Sequence, residues 1–431
     1  MADTYLSRTF SGANTSRKTF TLSFWVKRSN LGERAIISAS TTSNFYDNIV
    51  FVSSDQLDIN NVASGSDAIS FKTNRVFRDP SAWYHIVIAI DTTQASSSNG
   101  IKIYVNGEQE TSFASSTYTQ DATFEIGRDG STTSIGRREQ NTDYYGIGYL
   151  ADFYYIDGQQ LTPASFGETD STTGIWKFKT YSGTYGNNGF HLQFKNSAAL
   201  GTDTSGNSET FTVNNPGTNP QVVDTPTNNF SVMSPVNIFP NTTPIITTGN
   251  LKTQSQSTSG AGLCSTMAVS AGKWYAEGKI GSGATLEVGA VDIGTNAFNK
   301  GGTSTNSVGY DYGGNIRVNN SNTQTSLSTY TGGDIIGILL NMDTATGTVT
   351  FYKNGSAVGS AQNFTTSKPN AAAFYMQSHT SSGNQSVEWN YGNPTFSISS
   401  GNADANGFGN FEYAVPSGYY ALCTKNINTY G

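Results

Sequence analysis

The chain has little of what catalytic and nucleic-acid-binding proteins usually rely on. Its 431 residues contain 2 cysteines and 3 histidines, and only 13% are charged. Cys264 and Cys423 are too few for a disulfide scaffold or a cysteine-based metal cluster, and their apolar flanks read as small buried side chains. A disulfide between them does not suit a protein made in a reducing cytosol. No apolar run approaches the ~20 residues of a membrane-spanning helix. The first residues, Met-Ala-Asp-Thr-Tyr-Leu-Ser-Arg, lack a basic stretch followed by an apolar one, so no secretory leader is expected. A net charge of −7 argues against nucleic acid, whose phosphates require a basic surface.

What is abundant points to β-structure. There are 46 glycines, 23 tyrosines and 24 phenylalanines, with Ser, Thr and Asn crowding the gaps between apolar runs. Short strands joined by polar turns follow from that pattern. One phrase occurs twice. It reads Trp83-Tyr-His-Ile-Val-Ile-Ala-Ile-Asp91 with Ile101-Lys-Ile-Tyr-Val-Asn-Gly107, and again Asp334-Ile-Ile-Gly-Ile-Leu-Leu-Asn-Met-Asp343 with Gly347-Thr-Val-Thr-Phe-Tyr-Lys-Asn-Gly355. Each copy closes on Asn-Gly, the pair that tolerates positive φ at both centres of a tight hairpin turn. The copies lie about 250 residues apart, too far for a solenoid, so they predict two separate sandwiches that share a hairpin.

Along the first half, Phe20, Leu22, Phe24 and Val26 alternate with Thr21, Ser23 and Trp25, placing the two sets on opposite faces. Further strands are expected at 35–38, 48–52, 56–59, 69–73, 123–126, 148–158 and 191–194. Thr162-Pro163 reads as the start of a short helical turn. Periodicity is lost between about 196 and 250, which predicts a loop-rich linker with a boundary near residue 225. The expected organisation is therefore all-β: a sandwich over 1–196, a linker over 197–250, and a second sandwich with a C-terminal extension over 251–431. Trp25, Trp83, Trp274 and Trp389 fall inside strands and are expected in cores.

The landmarks Phe20-Thr-Leu-Ser-Phe-Trp-Val-Lys27, Trp83-Tyr-His-Ile-Val87, Ile101–Gly107 and Gly148-Tyr-Leu-Ala-Asp-Phe-Tyr-Tyr-Ile-Asp-Gly158 resemble, in order, those of laminin-G-like, concanavalin-A-like jelly rolls. Gly272-Lys-Trp-Tyr-Ala-Glu277, Val288-Gly-Ala-Val291, Gly333-Asp-Ile-Ile-Gly337, Thr350–Gly355 and Val387-Glu-Trp-Asn-Tyr-Gly392 resemble a SPRY domain. The joining text His191–Asn207, Asp224–Phe230 and Pro416–Thr424 is similar to virion proteins of tailed phages, notably those of marine cyanobacteria. That resemblance implies a phage structural protein of the tail-fibre or appendage type, assembled in the host cytoplasm and carried on the virion. It also implies other virion proteins as partners and a homo-oligomer, with a trimer favoured. A host-surface glycan or receptor would be its external target.

Chemistry is harder to place. Glycoside hydrolysis needs two carboxylates about 5–9 Å apart, and no Glu-x-Asp-x-x-Glu pattern occurs. Glu277 and Glu287 lie on consecutive predicted strands; they either pair or, far more in keeping with scattered acids, guard exposed strand positions. His85, His191 and His379 have no nucleophile-elbow context, and His85, inside an apolar strand, reads as structural. These features predict a non-enzyme. Recognition is expected instead at aromatic–polar loop segments, Asp143-Tyr144-Tyr145 and Tyr310-Asp311-Tyr312 with Asn315, whose rings would stack on sugars. The same tyrosines would equally suit packing between subunits. If such loops hold an ion it is Ca²⁺, with Asp121, Asp129, Asn141 and Asp143 as the candidate ligands; the alternative is ordinary polar turns. A head decoration or tail accessory that binds only virion proteins is the rival function, and a polysaccharide-degrading enzyme the weakest.

Overall fold

The computed structural model describes residues 4–217, 220–239, 244–255, 260–281, 285–294, 306–319, 321–364, 368–379 and 385–431. Strands take up 47% and helix 4%, so the chain is all-β. It divides into two compact units, Met1–Gln221 and Val222–Gly431. Among the described residues no helix is long and apolar enough to cross a membrane.

The first unit is a two-sheet sandwich. One sheet has eight strands, from the edge strand Phe113–Tyr118 through Arg34–Thr42 to Thr132–Ile135, Tyr5–Thr9 and Thr212–Asn214. The other has six, in the order Phe190–Leu192, Gly148–Asp157, Thr19–Arg28, Tyr84–Asp91, Ile101–Val105 and Glu108–Glu110. Phe20, Leu22, Phe24 and Val26 point into the space between the sheets and are fully buried. Thr21, Ser23 and Trp25, on the opposite face, are buried as well. The reason is a third layer: residues 159–185 lie over the outside of the six-stranded sheet. Thr21 donates to the Gln159 carbonyl at 2.7 Å and accepts from the Leu161 amide at 2.8 Å, while Phe166 and Tyr181 pack on Tyr154 and Ile156.

The second unit repeats the plan. A seven-stranded sheet runs Met233–Ile238, Gly262–Ser265, Ala372–Ser378, Leu286–Asp292, Ser307–Asp311, Ile316–Val318 and Ser321–Gln324. The facing sheet centres on Lys273–Ile280, flanked by Ser386–Asn390 and Ile335–Asn341. Its outer face is covered by the C-terminal extension, where Phe411 packs edge-on against Tyr275 at 5.1 Å and Tyr420–Ala421 adds a parallel pairing to Lys273–Ile280. Trp25, Trp83, Trp274 and Trp389 are all buried, as are both cysteines.

The repeated phrase does the same work twice. Asn106 donates its amide to the His85 carbonyl at 2.8 Å, and its Oδ1 accepts the His85 amide at 2.8 Å. Asn354 repeats both bonds with Ile335, each at 2.9 Å. Asn106-Gly107 has φ of 51° and 87° and Asn354-Gly355 has 48° and 80°, the all-positive turn that Asn-Gly favours. The asparagine side chain thus extends the ladder by one strand-like pairing at the turn.

Two expectations are corrected. Residues 123–126 are not a strand: the Glu125 and Ile126 amides are capped by the Asp47 carboxylate at 2.5 and 2.7 Å, so this apolar alternation is satisfied as a loop. Nor is 197–250 a linker, although 218–219 and 240–243 lie outside the described residues. Asp203 folds its first half tightly, its Oδ1 accepting the His191 and Ser205 amides and its Oδ2 the Ser205 hydroxyl and Glu209 amide, all at 2.8–2.9 Å. Phe211 thereby enters the first core against Phe190, 4.8 Å between ring centres. In the second unit, Val232 and Met233 are core residues of the other sandwich. Gly, Asn and Ser here encode turns.

A buried ion pair anchors the first unit near one end. Arg28, with no exposed surface, donates to Asp55 at 2.9 Å and to the carbonyls of Phe77 and Gly32 at 2.8 and 2.7 Å, and lies over the Phe51 ring. Burial pushes the Asp55 carboxyl up, but the Gly32 amide and the Arg78 and Arg28 guanidiniums outweigh it and hold it below the usual carboxylate range. A depressed folded value means the contribution is complete above the unfolded pKa of about 3.9 and is lost as pH falls further. Denaturant midpoints of the wild type and Asp55→Asn should therefore differ at neutral pH and converge as the pH drops below about 4. A gap that stays constant down to pH ~2 would refute this role.

Candidate functional site

The loop between Thr132–Ile135 and Gly148–Asp157 is built around one bidentate ion pair. Arg138 meets Asp143 through Nε at 2.7 Å and Nη2 at 2.6 Å, and its amide donates to the Asp143 carbonyl at 2.9 Å. Between and beyond them, Thr142 and Tyr144 adopt left-handed backbone with φ of 53° and 59°, uncommon for a bulky side chain. The Tyr144 carbonyl accepts the Ala35 amide at 2.9 Å, tying the loop to the neighbouring strand. That conformation brings the Tyr144 ring against the Arg138 guanidinium, 3.8 Å from its carbon to the ring centre. Arg137 stands over Tyr5 at 3.9 Å and pairs with Glu139, while Tyr145 meets Tyr5 edge-on at 5.9 Å. Burial works against the charge of Arg138, and Asp143 more than offsets it, so the guanidinium stays charged.

The three tyrosines are partly exposed, while the Arg137 and Arg138 side chains keep only 11% and 18% of their surface open. The result is a fixed platform of three tyrosines and two paired arginines. It offers tyrosine rings and hydroxyls at the sandwich rim, held in place by the paired arginines, groups suited to a polar ligand with an apolar face. Asp143, Tyr144 and Tyr145 are thus brought together as expected. Tyr5, Arg137, Arg138 and Glu139 were not foreseen, and the signal available for them was the Arg-Arg-Glu run just ahead of the aromatic pair.

The second expected segment is different. Tyr310 is a core residue with no exposed surface, held edge-on to Tyr330 at 5.1 Å and near Phe351 at 5.6 Å, its hydroxyl donating to the Ser328 carbonyl. It lies within the buried strand Ser307–Asp311 with its ring turned to the core, so it cannot present that ring to a ligand. Asp311 is buried and bonded to the Asn315 amide and side chain at 3.0–3.1 Å, which makes it a turn anchor. Tyr312 is half-buried and edge-on to His379 at 6.1 Å. Only Tyr312 and Asn315 keep partial exposure.

The four calcium candidates are not assembled. Asp121 is exposed and paired with Lys18 at 2.9 Å, Asp143 is committed to Arg138, and Asp129 and Asn141 are exposed on the surface. Among the described residues no three His, Cys, Asp or Glu side chains are grouped to hold a metal.

Glu277 and Glu287 lie on opposite sheets of the second sandwich, so they neither pair nor guard edges. Glu277 Oε1 accepts the Tyr275 hydroxyl at 3.1 Å and the Tyr413 amide at 2.8 Å; Oε2 accepts the Asn390 side chain at 3.1 Å and the Glu412 amide at 3.0 Å. Burial pushes its pKa up, and the four donors pull against that. Glu287 bonds the Tyr375 hydroxyl and sits 3.4 Å from His379 and 3.5 Å from Arg317.

His85 does meet a serine, at 2.9 Å from Nε2 to Ser23 Oγ. However, Trp176 Nε1, which can only donate, gives its proton to His85 Nδ1 at 2.9 Å. The neutral ring then carries its proton on Nε2 and donates to Ser23, leaving no lone pair for the serine proton. Burial lowers the His85 pKa to about 3, which keeps that ring neutral. The pair is a structural lock between strand and covering layer.

Comparisons agree with this architecture. Residues 3–164 match the concanavalin A-like lectin/glucanases superfamily, and residues 273–394 match the SPRY domain. The chain thus carries a laminin-G-type, concanavalin A-like domain in its first unit and a SPRY domain in its second. No curated protein matches it. Among solved structures, it is similar to the SPRY domain of human HERC1 at 20% identity, over 34% of this chain and 91% of that one, with a TM-score of 0.30. A heptameric SAP-like pentraxin from Limulus polyphemus is 17% identical over 37% of this chain and 71% of that chain, with a TM-score of 0.27. The TRIM65 PSpry domain is 12% identical over 36% and 91%, with a TM-score of 0.28.

Proposed function

We propose that this chain is a non-catalytic recognition and display protein whose contact surface is the Arg137–Tyr145 rim of its first unit. The observation that supports this reading is the stack of Tyr144 on the Arg138–Asp143 pair, fixed in uncommon backbone yet half-open to solvent. A loop can vary without unfolding the sheets behind it, which is why binding residues concentrate there. The setting we infer is a tailed-phage virion appendage of the tail-fibre type, a homo-oligomer touching host-surface glycan or receptor. That setting rests on the similarity of His191–Asn207, Asp224–Phe230 and Pro416–Thr424 to phage virion proteins.

Changing Tyr144 and Tyr145 to Ala should weaken attachment at least tenfold, since aromatic hot spots are worth about 2 kcal/mol or more. Melting temperature should barely move, as expected for half-exposed sites. Adsorption assays on particles carrying the double change provide the measurement. Normal adsorption would sink the rim assignment, and particles that fail to assemble would favour a decoration or tail-accessory role in which these tyrosines face other virion proteins.

A further inference from the structure

We propose that Thr204 is a base-activated hydroxyl that accepts an acyl group from an activated ester. Thr204 Oγ1 lies 3.0 Å from His191 Nδ1, and His191 Nε2 lies 3.1 Å from Asp152 Oδ1. Asp152 is an acceptor, so the single proton of the neutral imidazole sits on Nε2. Nδ1 is then left with a lone pair to which the Thr204 hydroxyl can donate, in competition with the His191 carbonyl at 3.1 Å. This is the reverse of the Ser23–His85 pair, where a tryptophan occupies the other ring nitrogen as a donor. If Nδ1 takes the proton, the arrangement stays satisfied: Nδ1–H turns to Thr204 Oγ1, Asp152 faces an imidazolium, and the threonine hydroxyl can use the His191 carbonyl at 3.1 Å. Both states needed by a general base are therefore accommodated without moving a heavy atom.

The three groups are also held and oriented. His191 is buried and stacked on Tyr154, with ring centres 3.8 Å apart and planes 11° from parallel. Asp152 adopts left-handed backbone, φ 47°, at a register shift in its strand, the kind of irregularity that re-aims a side chain. Thr204 follows Asp203, the four-bond anchor described above, and its own amide donates to the His191 carbonyl at 2.9 Å. The His191 base is shielded, Asp152 is half-exposed and Thr204 is exposed, so an ester can reach the hydroxyl from solvent. An oriented nucleophile–base pair backed by a third group is the arrangement that makes a hydroxyl reactive.

The step balances. Thr204 Oγ1 bonds to the acyl carbon as its proton passes to His191 Nδ1, the carbonyl carbon releases the alcohol or phenol oxygen, and that oxygen takes the proton from the imidazolium. The products are an O-acylthreonine and the free alcohol. Asp152 acts as a positioning residue.

The test uses the full chain and p-nitrophenyl acetate, with peptide mapping of the acetyl group. Acetylation of Thr204 should run about 100-fold or more faster than that of exposed Thr202 in the same peptide region, the scale of general-base assistance. His191→Gln should remove that advantage, Asp152→Asn should reduce it about tenfold or more, and Thr204→Ser should keep it. Should His191→Gln fail to fold, the half-exposed Asp152 position and Thr204→Ser still decide the matter. Acetylation of Thr204 at the rate of Thr202, or an unchanged rate in folded Asp152→Asn, overturns the proposal.

Discussion

Replacing Tyr310 with alanine should destabilise the second unit by about 3–5 kcal/mol, the range for removing a large aromatic side chain from a packed core. The fully buried ring packs against Tyr330 and Phe351 from the strand Ser307–Asp311, so its removal leaves a cavity in the core. Its hydroxyl also leaves the Ser328 carbonyl without its donor. Tyr310→Phe separates the two terms, since it keeps the packing and loses only a hydrogen bond of about 1 kcal/mol. Tyr144→Ala is the contrasting case: half-exposed, it should change the unfolding free energy by less than ~1 kcal/mol. Chemical denaturation of the three variants gives the comparison. Equal, small effects for Tyr310→Ala and Tyr144→Ala would mean that Tyr310 is not in the core.

The contrast between these tyrosines shows where sequence reading runs out. Both sit beside Asp in Gly- and Asn-rich text, and local composition cannot tell an inward strand end from a rim. Register decides it: Tyr310 is two residues from Val308, another core residue, so its ring points the same way. Strand periodicity was legible at Phe20–Val26, where one face meets the core along a whole strand, and misleading at 123–126, where Phe124 and Ile126 reach the core from a loop. Asn-Gly was legible because its meaning is local: φ at two residues and the bonds of one side chain.

The covering layers were not legible. Residues 159–185 and the C-terminal extension carry no period, because they bury themselves residue by residue on a sheet surface rather than on one repeating face. Their presence nevertheless changes what outward positions mean. Thr21 and Ser23, on the face opposite the apolar set, and Glu277, read as an exposed strand position, are all interior. The expected linker failed for a related reason: Asp203 and its neighbours satisfy a turn with side-chain bonds, so polar text there records tight folding. The domain division itself, expected near 225 and found between Gln221 and Val222, was nearly readable because the two recognisable hairpins bracket it.

Glu277 carries the other large expected effect. Four donors converge on its carboxylate, and two of them are backbone amides of the C-terminal extension, Glu412 and Tyr413. Those amides have no strand partner, so the carboxylate substitutes for a ladder and fastens the covering layer to the sheet. Glu277→Ala should cost about 3–5 kcal/mol, because truncation leaves several buried donors unmatched at about 1–3 kcal/mol each with partial relaxation. Glu277→Gln should cost less, yet more than an exposed substitution. Its amide nitrogen must replace one of the oxygens, and there it faces either the Tyr413 amide or the Glu412 amide with the Asn390 side chain. The tyrosine hydroxyl can rotate to accept; a backbone amide cannot. Amide exchange offers a local readout: protection at 411–413 should fall first in both variants, ahead of the central strand Lys273–Ile280. If Glu277→Ala unfolds no more easily than wild type and exchange at 411–413 is unchanged, the layer is held by Phe411 and Tyr275 packing alone. Simultaneous loss of protection in the layer and the central strand would instead mean that both belong to one cooperative unit, with Glu277 holding the whole sandwich.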